Sequence, residues 1–298
     1  MTARRHFVLS LAAAAALPAA PTTRFRLSIC SETFAGKDLA GMCEAARRTG
    51  YTGLEIDPSN LSDDPASLPP AARGEHRRRM ADAGIDYVGL HSFLKAPKGL
   101  HLTTPDAATR KRSWEYFARL IDLNADLGDR PVMVLGSSRQ RCTVDGAGPA
   151  EATARLTEGL ARIAPAAKAR NVSILVEPLA PHLCDVINTM AEAVAVAKAA
   201  ASPAIASMFD THNTSAERDP LPDVIRRHFA HIRHVHLNEL DGRYPGSGKC
   251  AFRPVLETLR ELHYAGWLSV EVFDYKPDGE TVAREAAVYL KRLLMEKL

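Results

Sequence analysis

The chain has 298 residues, of which 46 % are hydrophobic, so it can bury a sizeable core as one unit. Its 38 basic and 35 acidic residues leave a formal net charge of only +3. This near-balance argues against a surface for nucleic acid or for anionic membranes.

The first twenty residues have the parts of an export signal. Arg4 and Arg5 precede an alanine-rich apolar stretch that ends in small residues. The paired arginines, followed closely by Phe7, resemble a twin-arginine signal, whose pathway exports folded proteins. The apolar stretch is shorter than the ~20 residues that a membrane span needs. We therefore expect residues 1–20 to be removed, leaving 21–298 as a periplasmic or secreted protein that is not bound to a membrane.

Eight short β-rich runs follow in the chain, and helical patterns alternate with them. Several runs are apolar throughout, as in strands that are buried on both faces. The predicted strands cover 25–30, 52–56, 87–91, 132–135, 173–178, 204–210, 232–237 and 268–273. The predicted helices cover 39–49, 74–83, 109–127, 149–169, 189–201, 221–230, 253–263 and 280–297.

This alternation predicts an α/β fold, a single closed (β/α)₈ TIM barrel over residues 21–298. An open doubly wound sheet fits less well, and no GxGxxG motif follows the first strand. The segments 57–72 and 93–108 are predicted to cover the mouth of the barrel.

The five cysteines are an odd-numbered set without the spacing of a CxxC motif or a zinc finger, and a domain of this size is not expected to need a disulfide framework. We interpret them mainly as small buried side chains, with room for one disulfide after export. They are Cys30, Cys43, Cys142, Cys184 and Cys250.

Each of the last four predicted strands delivers an acidic or imidazole side chain near its end: Glu177, Asp210, His236 and Glu271. In such barrels the carboxyl ends of the strands form the active site, so these four groups should converge. Three carboxylates that meet without a cation would repel one another. The set therefore predicts a divalent metal: Mn²⁺, Mg²⁺ or Co²⁺, with the imidazole favouring a transition metal and Zn²⁺ left open.

Five motifs carry a resemblance to a known family: Leu175–Leu179 (LVEPL), Met208–His212 (MFDTH), His234–Glu239 (HVHLNE), Pro245–Gly248 (PGSG) and Ser269–Phe273 (SVEVF). The chain from residue 25 onwards resembles the xylose-isomerase-like barrel superfamily. Within it, the chain is similar to the sugar isomerase and epimerase branch that includes D-tagatose 3-epimerase and inosose dehydratase. The fourth strand end, Val134–Ser137 with Arg141, is also similar to that branch.

The resemblance implies that Glu177, Asp210, His236 and Glu271 bind the metal, and that Glu177 and Glu271 are the catalytic acid and base. A metal held by the carbonyl and the neighbouring hydroxyl of a sugar or cyclitol acidifies the adjacent C–H. A carboxylate then removes that proton, and the metal stabilises the enediolate. Return of the proton from the other face gives epimerisation or isomerisation, whereas departure of a β-substituent gives elimination from a 3-keto sugar, 3-keto-glycoside or keto-inositol.

Three positions depart from the pattern of the family's ketohexose epimerases. Leu183 stands where a second glutamate is common, and Asn213 where a histidine is usual. Gly242, followed by Arg243, stands where an arginine is expected. The scaffold and the metal are compatible with these changes, but assignment as a ketohexose 3-epimerase does not follow from the sequence.

Several further residues are candidates for contact with the substrate: His91, Arg141, His182, His212 and Arg243. Each has an alternative as an ordinary hydrogen-bonded or ion-paired side chain, and Arg141 could pair with an acid instead. Glu55 could hold either Arg141 or a substrate hydroxyl. His234 shares the side-chain parity of His236 but lies deeper, so we interpret it as a core histidine or as one that supports the site.

Two other functions remain open from the sequence. An exported sugar-binding protein would keep the barrel without turnover, although both predicted catalytic carboxylates are present. A phosphodiesterase of the endonuclease IV type would need more histidines and acids than these strands supply. By resemblance, the chain could form homodimers or homotetramers.

Overall fold

A closed barrel of eight parallel strands forms the centre of the protein. The computed structural model describes residues 25–295. Within this range the strands pair in chain order, and β1 (Arg26–Cys30) pairs with β8 (Trp267–Val270) to close the barrel. The predicted (β/α)₈ TIM barrel is therefore confirmed. The predicted export signal at residues 1–20 lies outside the described residues.

The remaining strands agree closely with the predicted ones: β2 Gly53–Ile56, β3 Asp86–His91, β4 Val132–Leu135, β5 Ser173–Val176, β6 Ile205–Asp210 and β7 Ile232–Leu237. The helices are α1 Leu39–Thr49, α2 Pro70–Asp82, α3 Ala107–Leu127, α4 Pro149–Ala169, α5 Met190–Ala199, α6 Leu221–His228, α7 Phe252–Glu261 and α8 Gly279–Met295. None of these helices is long and apolar enough to cross a membrane.

Side-chain caps fix several of the helix starts. The Asp38 carboxylate accepts a hydrogen bond from Gly41 N at the start of α1, and Asp106 accepts two from the first turn of α3. Thr189 and Glu192 form a reciprocal capping box at the start of α5. These caps satisfy backbone N–H groups that would otherwise have no partner, and they set where each helix leaves its loop.

The start of α2 shows where hydrophobic periodicity failed as a guide. We predicted this helix from residue 74, but it begins at Pro70. Proline suits the first turn because its missing N–H is not needed there. Met80 is the only buried side chain of the helix, so it has little apolar periodicity to reveal its true start.

A small apolar cluster inside the barrel forms the floor beneath the strand ends. It consists of Val134, Leu175, Ala206 and Met208, and it is separate from the large core between strands and helices. Side chains alternate along a strand, so the residue two positions further on points the same way. Glu177 therefore points the same way as Leu175, and Asp210 points the same way as Met208.

Candidate metal centre and active site

The four predicted metal ligands meet at the carboxyl end of the barrel. Glu177 follows β5 directly, Asp210 ends β6, His236 is the second-last residue of β7, and Glu271 follows β8 directly. One ligand atom from each lies within 4.8 Å of the corresponding atoms of the other three. Glu177, Asp210 and His236 are buried, and the Glu271 side chain is 12 % exposed.

The charges within this cluster oppose one another. Burial, together with the charges of Glu271 and Asp210, raises the pKa of Glu177 well above its ordinary value. Burial and Glu271 also raise the pKa of Asp210. Both shifts reflect the cost of placing several anions in a poorly solvated space. A bound cation would remove that cost.

The chemistry of the donor set fits a divalent metal. Three carboxylates and one imidazole are a set that Mn²⁺, Co²⁺ and Mg²⁺ accept. The imidazole already presents one nitrogen to the carboxylates, because His236 Nδ1 lies 3.2 Å from Glu271 Oε2 and 4.0 Å from Glu177 Oε1. The four residues could therefore hold a divalent cation together.

A buried carboxylate on the opposite side of the barrel orients the imidazole. Glu55 Oε1 lies 3.1 Å from His236 Nε2, and Glu55 Oε2 lies 2.8 Å from His234 Nε2. All three side chains are fully buried. A carboxylate at Nε2 favours a proton on that nitrogen and leaves Nδ1 free to bind a metal. Glu55 thus contacts the two histidines, rather than Arg141 or the cavity.

Asn213 links two of the carboxylates, and sequence reasoning missed this role. Its Nδ2 donates to Asp210 Oδ2 at 2.9 Å and to Glu177 Oε1 at 3.2 Å, while its Oδ1 accepts from Ala180 N at 3.0 Å. From the sequence, Asn213 is only a departure from the family's histidine. Its place three residues after Asp210 was the available signal, since a loop residue at that offset can turn back onto the strand end.

His91 lies between two acids at the wall of the cavity. Its Nε2 is 2.6 Å from Glu32 Oε2, and its Nδ1 is 3.4 Å from Glu271 Oε1. Glu32 follows β1 in a single turn of 3₁₀ helix, and no sequence motif singles it out. His91 therefore connects Glu271 to Glu32, and both His91 and Glu32 face the cavity.

The other predicted substrate contacts lie at different depths. Arg141 is fully buried and does not line the cavity; its Nη2 donates to Glu177 O at 2.6 Å, which fixes the backbone of that predicted ligand. His212 lines the cavity, and exposed His182 packs edge-on against it with ring centroids 6.2 Å apart. Arg243 does not line the cavity but pairs with Asp241, which does.

The cavity above the cluster has a volume of about 630 Å³ and opens at the mouth of the barrel. This lies within the ~300–1,000 Å³ range that is usual for small-molecule sites. Lys95 and Lys98 come from the predicted covering segment 93–108. Residues 57–72, all within the described part of the chain, contribute nothing to its wall, so the prediction that they cover the mouth is wrong; Asp57 instead pairs with Lys95, which does line the cavity.

Gly136 is expected to be essential for metal binding because the Glu177 side chain occupies the space beside it. A Cβ at this position would lie 1.7 Å from Glu177 Oε2. Gly136→Ala should therefore displace the carboxylate and lower metal affinity by at least about tenfold. Isothermal calorimetry with Mn²⁺ measures the loss. Gly148→Ala, on the same loop but with no atom within 4 Å of its added Cβ, is the control and should bind metal normally. Equal affinities for the two variants would contradict this placement of Glu177.

Metal binding should also stabilise the fold, because the cation relieves repulsion among buried carboxylates. Mn²⁺ at about one hundred times its Kd should add about 2.7 kcal/mol. For a domain of this size, that corresponds to a rise in Tm of roughly 5–10 °C. The change in Tm is measured by thermal unfolding with Mn²⁺, Mg²⁺, Co²⁺ or Zn²⁺, and each measurement is repeated after a chelator is added. A Tm that none of these metals changes would count against the centre.

The fold and this cluster together define a (β/α)₈-barrel protein with a candidate metal centre at the carboxyl ends of its last four strands. The chain matches the xylose isomerase-like TIM barrel family over residues 43–293 and belongs to that family.

Two curated relatives cover most of the chain. An L-ribulose 3-epimerase from Mesorhizobium japonicum is 26 % identical over 261 residues, which is 88 % of this chain and 84 % of the relative. A D-psicose 3-epimerase from Agrobacterium fabrum is 28 % identical over 249 residues, which is 83 % of this chain and 82 % of the relative. The crystal structure of a D-psicose 3-epimerase in the presence of D-fructose has the same fold, with a TM-score of 0.78 at 21 % identity over 91 % of this chain and 99 % of that one.

Proposed function

We propose that this protein is a divalent-metal-dependent sugar epimerase that moves a proton at the carbon next to a ketose carbonyl. The observation that carries the proposal is the position of two carboxylates, Glu177 and Glu271, in one cluster of four metal-ligand groups within 4.8 Å. The relatives named as L-ribulose and D-psicose 3-epimerases support a ketose as the substrate class.

Glu177, Asp210, His236 and Glu271 would hold the metal, for which Mn²⁺ is our first choice and Mg²⁺, Co²⁺ and Zn²⁺ are alternatives. Once bound there, such a cation would polarise the carbonyl and the neighbouring hydroxyl of the sugar and so acidify the adjacent C–H. Asn213 and Glu55 keep the ligands in place through their hydrogen bonds to Glu177, Asp210 and His236.

Glu177 and Glu271 supply the proton transfer. They arrive from β5 and β8, which are not neighbours in the barrel, so a sugar between them presents a different face to each. One carboxylate, in its ionised form, removes the proton to leave an enediolate, and the other, in its protonated form, gives its proton to the opposite face, which inverts the carbon. Contacts of Glu271 with His91 and His236 hold it in position for this transfer.

Epimerisation is the reaction that the observations favour. The curated relatives are named as ketose 3-epimerases, and both carboxylates needed for two-sided proton transfer line the cavity. β-Elimination and sugar binding without turnover have no comparable support.

The proposal is tested by incubating Mn²⁺-loaded protein with D-psicose, D-fructose and L-ribulose and separating the products by chromatography. We expect the 3-epimer of at least one ketose, loss of activity with a chelator, and recovery when metal is restored. Release of water would indicate elimination instead. Absence of any conversion by protein with bound metal would contradict epimerisation.

We also propose that the protein is exported through its twin-arginine-like signal. In support, Cys142 and Cys184 are paired as a disulfide, and disulfides persist in oxidising compartments. Cys30, Cys43 and Cys250 are free and buried, in keeping with their interpretation as small core side chains. Mass spectrometry of the native protein should find a shortened N-terminus in the periplasmic or secreted fraction. Full-length protein confined to the cytoplasm would contradict export.

A further inference from the structure

The mouth of the cavity carries an unusual share of exposed apolar side chains. Six large hydrophobic residues are exposed within residues 25–295, and three of them line this cavity: Leu183, Phe273 and Tyr275, at 39, 52 and 36 % exposure. Exposed apolar groups gathered at one concave place mark a binding surface. We call these three residues the apolar lip.

Phe273 is held in its exposed position by the structure around it. Its amide donates to Gly242 O at 2.8 Å, and its ring covers Gly242 so closely that a Cβ there would lie 2.8 Å from the ring. The His212 ring packs against it with centroids 5.2 Å apart. The aromatic ring is therefore a fixed platform at the mouth, and little conformational entropy is lost when a ligand packs on it.

Leu183 is fixed on a second loop of the mouth. Its amide donates to Ala180 O at 2.8 Å, and the next residue forms the Cys142–Cys184 disulfide. The disulfide ties the β5–α5 loop to the β4–α4 loop. Leu183 lines the cavity and is 39 % exposed, so this part of the mouth offers an apolar surface to a ligand.

Polar groups of the β3–α3 and β4–α4 loops line the same cavity. They include Ser138, Arg139 and Gln140 next to the disulfide, and Lys98 on the adjoining loop. The loops are joined where Leu102 N donates to Gln140 O at 2.7 Å. A sugar ring has apolar C–H faces and a rim of hydroxyls, so it suits a surface that combines an aromatic platform with hydrogen-bonding groups.

We propose that the apolar lip binds a second sugar ring, and that the substrate is a ketose-containing disaccharide. This inference rests on the proposed function. With the carbonyl end of the ketose at the metal ligands on the cavity floor, its distal carbons point towards the mouth. A glycosyl group on those carbons then lies over Phe273 and beside Leu183 and Tyr275. The 630 Å³ cavity has the carboxylates Glu177 and Glu271 and all three residues of the apolar lip in its lining.

Steady-state kinetics on Mn²⁺-loaded protein tests this inference. D-Fructose is compared with its 4-O- and 6-O-glucosyl derivatives, which keep the carbonyl and the C3 hydrogen. We expect kcat/KM to be at least about tenfold higher for one of the disaccharides. Phe273→Ala and Leu183→Ala should reduce this preference about tenfold, chiefly through KM. Val288→Ala removes an exposed apolar side chain on α8 outside the cavity (60 % exposed) and should leave the preference unchanged.

Binding to a proton-transfer-deficient variant separates this inference from the proposed function. Calorimetry on metal-loaded Glu271→Gln should give tighter binding of the preferred disaccharide than of D-fructose, and Phe273→Ala in that background should abolish the difference. Equal binding and turnover of both sugar classes would overturn the second-ring site while leaving epimerisation intact. The second-ring site would also be overturned if Phe273→Ala altered the oligomeric state in ultracentrifugation but left the binding and turnover of both sugar classes unchanged. If the wild-type protein bound the disaccharide but did not convert it, the result would support the apolar lip and contradict the proposed reaction.

Discussion

Glu271→Gln is expected to lower kcat by at least about 100-fold, since a positioned general acid or base contributes on the order of 10²–10⁴ to a rate. The amide has the shape of the carboxylate but cannot accept the proton of the sugar. Glu271 Oε2 lies 3.2 Å from His236 Nδ1, and Oε1 lies 3.4 Å from His91 Nδ1, so the side chain stays within its contacts. The amide oxygen can still coordinate, so part of the metal affinity should remain.

The measurement is steady-state turnover with Mn²⁺ raised until the rate no longer increases. Saturating metal separates loss of proton transfer from loss of the cation. Glu115→Gln removes an exposed carboxylate on α3, 65 % exposed, and should retain the wild-type rate. A Glu271→Gln rate within a few-fold of wild type would make the two-carboxylate mechanism wrong.

Asp210→Asn should act differently, by weakening metal binding by more than about 100-fold, since even residues that only support ligands account for ~10–100-fold in affinity. Asp210 Oδ1 accepts from His212 N at 2.7 Å, and Oδ2 accepts from Asn213 Nδ2 at 2.9 Å. An amide would direct its own NH₂ at one of these donors, so the side chain loses a hydrogen bond as well as its charge.

Calorimetry with Mn²⁺ measures the affinity, and activity is followed across the same metal titration. Because the proposed mechanism gives Asp210 no part in proton transfer, high metal concentrations should restore much of the rate. The Glu271→Gln variant should not recover under those conditions. An Asp210→Asn protein that binds Mn²⁺ as tightly as wild type would remove this residue from the ligand set.

The strands and the four clustered groups could be predicted from the sequence because both depend on local patterns and on the order of the strands along the chain. Parallel strands in chain order bring their carboxyl ends together, so residues at the ends of β5–β8 must be neighbours whatever the details of packing. The residues at which strands end were predicted less accurately. β8 was predicted to reach residue 273 but ends at Val270, because the chain leaves the barrel there to place Glu271 and Phe273 at the mouth.

The contacts that support the cluster depend on closure and on the paths of loops, which local patterns do not encode. Glu55 reaches His236 across the interior from a strand far away in the sequence, so its partner could not be chosen from spacing alone. Asn213 and Glu32 lie in turns just after strands, where a single backbone bend decides whether a side chain faces the cluster. Arg141 was a candidate for substrate contact, yet the β4–α4 loop buries it behind Glu177.

Solvent-deuterium uptake tests the central claim most directly. Mn²⁺-loaded protein is incubated in D₂O with D-psicose, L-ribulose and the glucosyl-fructoses, and the recovered sugars are analysed by mass spectrometry and NMR, with Glu271→Gln as the control. Proton transfer at the carbon next to the carbonyl predicts one deuterium at C3 in substrate or epimer, and none with the control. Protein with bound metal that leaves every sugar unlabelled would contradict proton abstraction by this cluster.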